Sequence, residues 1–184
     1  MSTSAHLITP TTIWTIGHST RPLEEFLGLL AASSIEAIAD VRSFPASRKF
    51  PQYGKEALAA TLARHATGYH WLPALGGRRR TVPGSPNTAW RNASFRGYAD
   101  YMASAEFAQG LSQLIEMASQ ARTAVMCAEA VWWRCHRSMI ADALCVRGIE
   151  VGHILDAKQI VIHPMTSPAR VVRGELSYAA AEGE

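Results

Sequence analysis

Short apolar runs with strand character alternate with longer runs of helical period along this chain, and that alternation admits few folds. The run TIWTIG, residues 12–17, reads as a buried strand ending at Gly17. In the segment 21–33 that follows, Leu23, Phe26, Leu27 and Leu30 share one helical face. Pro22 suits its first turn, and Ser19 or Thr20 can cap it. A second strand is predicted at 35–41, a second helix at 54–66 with Leu58 and Leu62 one turn apart, and a third strand at 69–72. Residues 104–120 give the strongest helical pattern, with Phe107, Leu111, Leu114, Ile115 and Ala118 on one face. The apolar run 123–128 is the candidate central strand. A helix is expected from Cys135 to Gly148, with Met139, Ile140, Ala143 and Leu144 inward and Gly148 as its stop. Residues 149–155 are the last clear strand.

This order predicts a three-layer, Rossmann-like α/β fold: an open, mostly parallel sheet of about five strands with flanking helices. At 184 residues the chain fits a single domain. Its core is expected over about 12–163, with a loop or insertion at 76–94 and a C-terminal tail at 164–184, frayed at AAAEGE. The 76–94 stretch carries Arg78, Arg79, Arg80 and Arg91 among glycines and prolines, with Trp90 as an aromatic anchor. A loop of that length is either a lid or binding loop, or disordered.

Parallel sheets place ligands at the carboxyl ends of their strands. Polar and titratable residues gather there in this chain: His18 and Ser19 after the first strand, Asp40 and Arg42 at the second, Gly76 and Gly77 after the third. After the fourth come Cys127, Glu129 and the turn Arg134-Cys135-His136-Arg137. The candidate catalytic residues are therefore Glu129, Cys127, Cys135, His136, Asp40 and His18. The candidate substrate-binding residues are Ser19, Arg42, Arg137, Gly76 and Gly77.

Several chemistries fit that turn. A thiol near a helix start and beside arginines is driven toward thiolate, so Cys127 or Cys135 is either a nucleophile or a small buried hydrophobe. A cysteine-phosphatase loop is disfavoured, because Cys127 and Arg134 are seven positions apart rather than six, and Glu129 would repel a phosphate dianion. No metal and no other cofactor is expected: Cys135 and His136 as neighbours on a helix would point about 100° apart. Glu129, next to a buried strand, needs a partner, and Arg42 or Arg137 can supply one. Of Trp132 and Trp133, only one is expected to be buried.

The stretches TIGHST, ADVRSFPASRKF, LGG, FRGYADYMASAEF and MCAEAVWWRCHRSMIADAL with GIEVGHIL together resemble the domain of unknown function 488 family. The resemblance runs from about Trp14 to Leu155. It rests on C-x-E followed by C-H-R at Cys127, Glu129, Cys135, His136 and Arg137, on G-H-S at 17–19 and on D-V-R at 40–42. It implies an α/β fold with a polar site at the strand ends, and supplies no reaction.

The resulting expectation is an enzyme, a hydrolase or transferase, acting on an anionic small molecule or a nucleotide-containing substrate. Arg42 and Arg137 bind the anion, and Glu129 with Asp40 or His18 moves protons. A rival reading is a nucleic-acid-binding or nucleic-acid-modifying module using Arg78, Arg79, Arg80 and exposed tryptophans. A third is a non-catalytic binding domain. The net charge of +3 does not decide among them. No apolar run is long enough to span a bilayer, three cysteines are no disulfide framework, and the first residues lack a signal-peptide pattern. A cytoplasmic protein without a membrane partner is expected.

Overall fold

The computed structural model describes residues 12–181. Five parallel strands carry the sheet: β1 (Thr12–Gly17), β2 (Ala37–Asp40), β3 (Gly68–Trp71), β4 (Thr123–Cys127) and β5 (Glu150–Ile154). A sixth, β6 (Ile160–Ile162), adds antiparallel to β5, giving the order β3-β2-β4-β1-β5-β6. The fold is the expected three-layer, Rossmann-like α/β arrangement, with one strand more than the sequence pattern shows.

Side chains alternate across a strand, so each central strand feeds two cores. Trp14 and Ile16 of β1 and Ala124 and Met126 of β4 face helices α1 (Leu23–Ala32) and α2 (Lys55–Arg64). Ile13, Val125 and Cys127 face the other layer, made of α3 (Ala93–Met102), α4 (Ala105–Gln120) and α5 (Arg137–Cys145). The same alternation that buries Val125 carries Cys127 to the α3–α5 side at the strand's end. β4 sits between β1 and β2, and its outgoing connection leaves on the face opposite to theirs. That divergence opens a crevice at the carboxyl ends of the three strands.

Local details differ from the sequence pattern. No side chain caps α1; Pro22 itself holds the cap position, and Ser19 and Thr20 lie outside it. Asn92 caps α3 and Ser104 caps α4 through their side-chain oxygens. The 76–94 segment is ordered. Asp100 of α3 accepts hydrogen bonds from the Val82 amide (2.9 Å), the Asn87 amide group (2.8 Å) and the Ser85 hydroxyl. Arg79 lies over the Tyr101 ring at 3.5 Å, and Arg96 donates to the Trp90 carbonyl. Trp90 stacks on Phe95 and packs onto the core, so it is not the exposed aromatic that the nucleic-acid reading needs.

Residues read as a tail are docked. Strands β7 (Arg170–Val172) and β8 (Glu175–Ser177) form a hairpin, whose turn has positive φ at both Arg173 and Gly174. Tyr178 is 3% exposed, and its hydroxyl donates to Asp142 at 2.8 Å. Thr166 also donates to Asp142, from its amide and its hydroxyl. The expected fraying falls in part on 182–184, outside the described residues. Tyr178→Phe is expected to cost about 1–2 kcal/mol, the loss of one hydrogen bond to a buried carboxylate. Urea unfolding of the variant checks this; no change would mean the hairpin contributes nothing through that bond. Among the described residues no helix is long and apolar enough to cross a membrane.

Candidate functional site

The ends of β1, β2 and β4 are joined by main-chain hydrogen bonds beyond their ladders. Val41 N donates to Met126 O (3.0 Å), His18 N to Cys127 O (3.1 Å) and Ser19 N to Ala128 O (2.9 Å). A Cβ on Gly17 would run into the Glu129 carbonyl oxygen, so only glycine lets the chain after β4 pass this close. The crevice above is a cavity of about 420 Å³. Arg42, Gly77, Cys127, Glu129, Cys135 and His136 all line it, together with Ser43, Phe44, Arg78, Asn92, Tyr98 and Arg134.

The floor of the cavity is a thiol cluster. Cys135 is extended, with φ −129° and ψ 146°, and α5 begins only at Arg137. The expectation that Cys135 and His136 stand on one helix and diverge is therefore wrong. Their backbone bends between them, and Cys135 Sγ lies 3.7 Å from His136 Nδ1. The ring is fixed from behind: His136 Nε2 is 3.1 Å from the Val41 carbonyl, which only accepts, so Nε2 carries the proton. Arg137 Nε donates to Cys135 Sγ at 3.4 Å. Burial works against a Cys135 thiolate, but interactions with Cys127, His136 and Arg137 outweigh it and hold this thiol well below its ordinary range. Cys127 is pushed up, by its hydrogen bond to Cys135 and by burial. Gly77 sits against this group, and a Cβ there would collide with His136 Nδ1.

The remaining expected site residues support the cavity from behind. Asp40 is wholly buried and its carboxylate is occupied: Arg42 donates from its amide (3.0 Å) and Nε (2.9 Å), and Tyr69 from its hydroxyl (2.6 Å). His18 is buried, stacked on Tyr53 at 4.1 Å, with Nδ1 on the Ser19 carbonyl and Arg42 3.4 Å from Nε2. Neither Asp40 nor His18 lines the cavity, so the proton-transfer roles expected for them do not fit their positions. Arg137 does not line it either. It is 1% exposed, and its donors go to Cys135, Thr15 and the carbonyls of Glu129 and Ala130. The partner expected for the Glu129 side chain is thus taken up by its main chain, and the carboxylate itself is exposed. Ser19 contributes its amide to the β4 loop and holds φ 48°, while Gly76 packs against Ser43.

Trp132 is half-buried and stacked on His153 at 4.3 Å, while Trp133 is 52% exposed, so neither tryptophan is fully buried. Several lining residues were not foreseen, Ser43, Phe44, Asn92, Ser94, Phe95 and Tyr98 among them. Ser43 and Phe44 directly follow the D-V-R motif and were within reach of a strand-end argument. Asn92 caps α3, and Ser94, Phe95 and Tyr98 lie within it, on a helix whose register is blurred by Gly97 and by aromatic residues on more than one face.

A family model described as "Domain of unknown function DUF488" matches residues 22–144. That span holds the D-V-R motif and the C-x-E and C-H-R motifs, and begins after Gly17-His18-Ser19. No curated protein and no solved structure matches the chain.

Proposed function

This chain belongs to the DUF488 family, and we propose that it is an enzyme whose active site is the strand-end cavity, acting on an anionic, nucleotide-like small molecule. The observation that carries this reading is the composition of the cavity. Three arginines, Arg42, Arg78 and Arg134, surround a floor of Cys127, Cys135 and His136, with Glu129 on the same wall. Arginines around a concave pocket attract phosphate or carboxylate. Two guanidinium donors of Arg42 are held by Asp40, so Arg78 and Arg134 are the freer anion ligands. Phe44, 69% exposed, stands at the mouth with Arg78 5.7 Å from its ring centre, a surface on which a base can stack. A volume of about 420 Å³ lies within the range of small-molecule sites.

The roles follow from position. The floor provides nucleophilic or metal-binding chemistry, Glu129 is the acid–base group within the cavity, and the rim arginines orient the substrate. Asp40, His18 and Arg137 hold these groups in place.

Adenosine monophosphate and inorganic phosphate are the probes. Both are expected to raise the melting temperature of the wild type, the nucleotide more than phosphate. The shift should largely vanish in an Arg78→Ala/Arg134→Ala double variant. Equal shifts in wild type and variant would sink the reading. A variant-sensitive response to oligonucleotides alone, falling steeply with salt, would favour the nucleic-acid alternative.

A further inference from the structure

We propose that Cys127, Cys135 and His136 bind one zinc ion, with its fourth coordination position open to the cavity. The inference rests on the reading of that cavity as the active site and supplies the cofactor that reading lacks. The three ligand atoms lie within 4.8 Å of one another, and among the described residues this is the one cluster of its kind. A tetrahedral zinc with Zn–S of about 2.3 Å and Zn–N of about 2.0 Å holds its sulfur and nitrogen ligands about 3.5 Å apart. Cys135 Sγ and His136 Nδ1 are 3.7 Å apart. The pair is already close to the separation that an ion between them requires.

The surroundings fit a metal ligand set better than a packed corner. Ligating histidines characteristically donate their second ring nitrogen to a carbonyl or carboxylate, which fixes the tautomer and the ring plane. His136 does so through Nε2 to the Val41 carbonyl, leaving Nδ1 on the sulfur side. The Arg137 hydrogen bond to Cys135 Sγ is a further outer contact of the kind that tunes a bound thiolate. Gly77 leaves room against Nδ1 where any side chain would collide.

Ligand type selects the ion. Two thiolates and an imidazole suit zinc and disfavour magnesium or calcium, which take oxygen ligands. Ligand number sets the class. Structural zinc sites are closed by four protein ligands, whereas three ligands and a free position characterise catalytic ones. All three residues line the cavity, so the free position faces the wall that carries Glu129 and Arg134. A water held there would be acidified by the ion.

The test uses the full chain, stripped with chelator and kept reduced, with the three thiols counted before each titration. Titration with cobalt(II) is expected to give one equivalent of a tetrahedral species with thiolate-to-cobalt charge transfer, displaced by zinc. Cys135→Ser and His136→Gln should each weaken zinc binding by more than about 100-fold, since even outer contacts to a metal site are worth up to that factor. Cys145→Ser, outside the cluster, should bind as the wild type does. Circular dichroism confirms that each variant is folded, and the wild-type titration stands by itself if one is not. Substoichiometric metal on fully reduced protein, or charge transfer that survives a Cys127→Ser/Cys135→Ser double variant, would overturn the assignment. Nucleotide binding by a protein that takes no zinc would leave the active-site reading intact and remove the metal. Zinc binding without any nucleotide or phosphate response would do the reverse.

Discussion

Asp40→Ala is expected to destabilise the protein by about 3–5 kcal/mol, the usual cost of leaving one member of a buried ion pair without its partner. Asp40 is 0% and Arg42 6% exposed, so water cannot substitute for the lost carboxylate. The loss is larger than that of a single contact. Arg42 Nε bridges both carboxylate oxygens at 2.9 and 3.1 Å, its NH2 reaches one at 2.5 Å, and Tyr69 donates to the same oxygen. Removing the carboxylate strands all of these donors beneath the cavity. A double variant, Asp40→Ala with Arg42→Met, should recover part of the stability, because no buried charge then remains unpaired. Urea unfolding of the single and double variants measures both effects. A loss below about 1 kcal/mol in Asp40→Ala would show that the pair is solvated in practice and that Asp40 is free for another role.

The pair also shows how far the sequence could be read. D-V-R was legible as a strand-end motif, and its place beside β4 follows from a parallel sheet. Its internal geometry was not legible. Asp40 and Arg42 are two apart across the end of β2, where the strand conformation gives way, and the arginine folds back onto the aspartate instead of reaching Glu129. Sequence spacing alone would equally permit Arg42 to face the substrate. The same limit explains Arg137. A cation near a helix start suggests anion binding, but the α5 N-terminus lies over β1 and β4, so the guanidinium points into carbonyls and Cys135. For the thiol cluster, the decisive unknown was one helix boundary. Starting the helix at Cys135 separates Cys135 from His136, and starting it at Arg137 brings them together. A difference of two residues is the ordinary uncertainty of a helix end. The C-terminal hairpin was hidden for a different reason: its strands are three residues each, too short for a period of two to register.

Two buried histidines make the fold acid-sensitive in a definable window. Burial, the largest cause, pushes His18 down to about 4 and His153 down to about 3 from an ordinary value of 6.5. Neighbouring charge adds to this: Arg42 and Arg137 act against protonation of His18, which Asp40 only partly offsets, and His163 and Arg137 act against protonation of His153. The hydrogen-bond pattern is consistent with this resistance. Arg137 donates to Thr15 Oγ1 (3.4 Å), which lies 2.6 Å from His153 Nδ1. His153 Nε2 lies 2.9 Å from His163 Nδ1, and His163 Nε2 lies 2.9 Å from Asp142. With donors running from Arg137 toward Asp142, His153 Nδ1 must accept, and a proton added there would face the Thr15 hydroxyl donor. His18 meets the same conflict at Nε2, where Arg42 approaches to 3.4 Å. Both folded values lie below the unfolded one, so below pH 6.5 the unfolded chain binds more protons and stability falls. The loss begins near pH 6.5, continues to about 4 for His18 and about 3 for His153, and then levels off. Each pH unit that separates the folded from the unfolded value is worth about 1.4 kcal/mol, so each histidine contributes a loss on the order of 3 kcal/mol or more. Urea unfolding in chelator, from pH 7 down to about 4.5, measures the slope free of any metal effect. His153→Gln and His18→Gln should each reduce that slope by up to about 1.4 kcal/mol per pH unit, the contribution of one proton. A wild-type stability that stays level from pH 6.5 to about 4.5 would show that both imidazoles take up protons in the folded state, and that the cavity's supporting layer is wet.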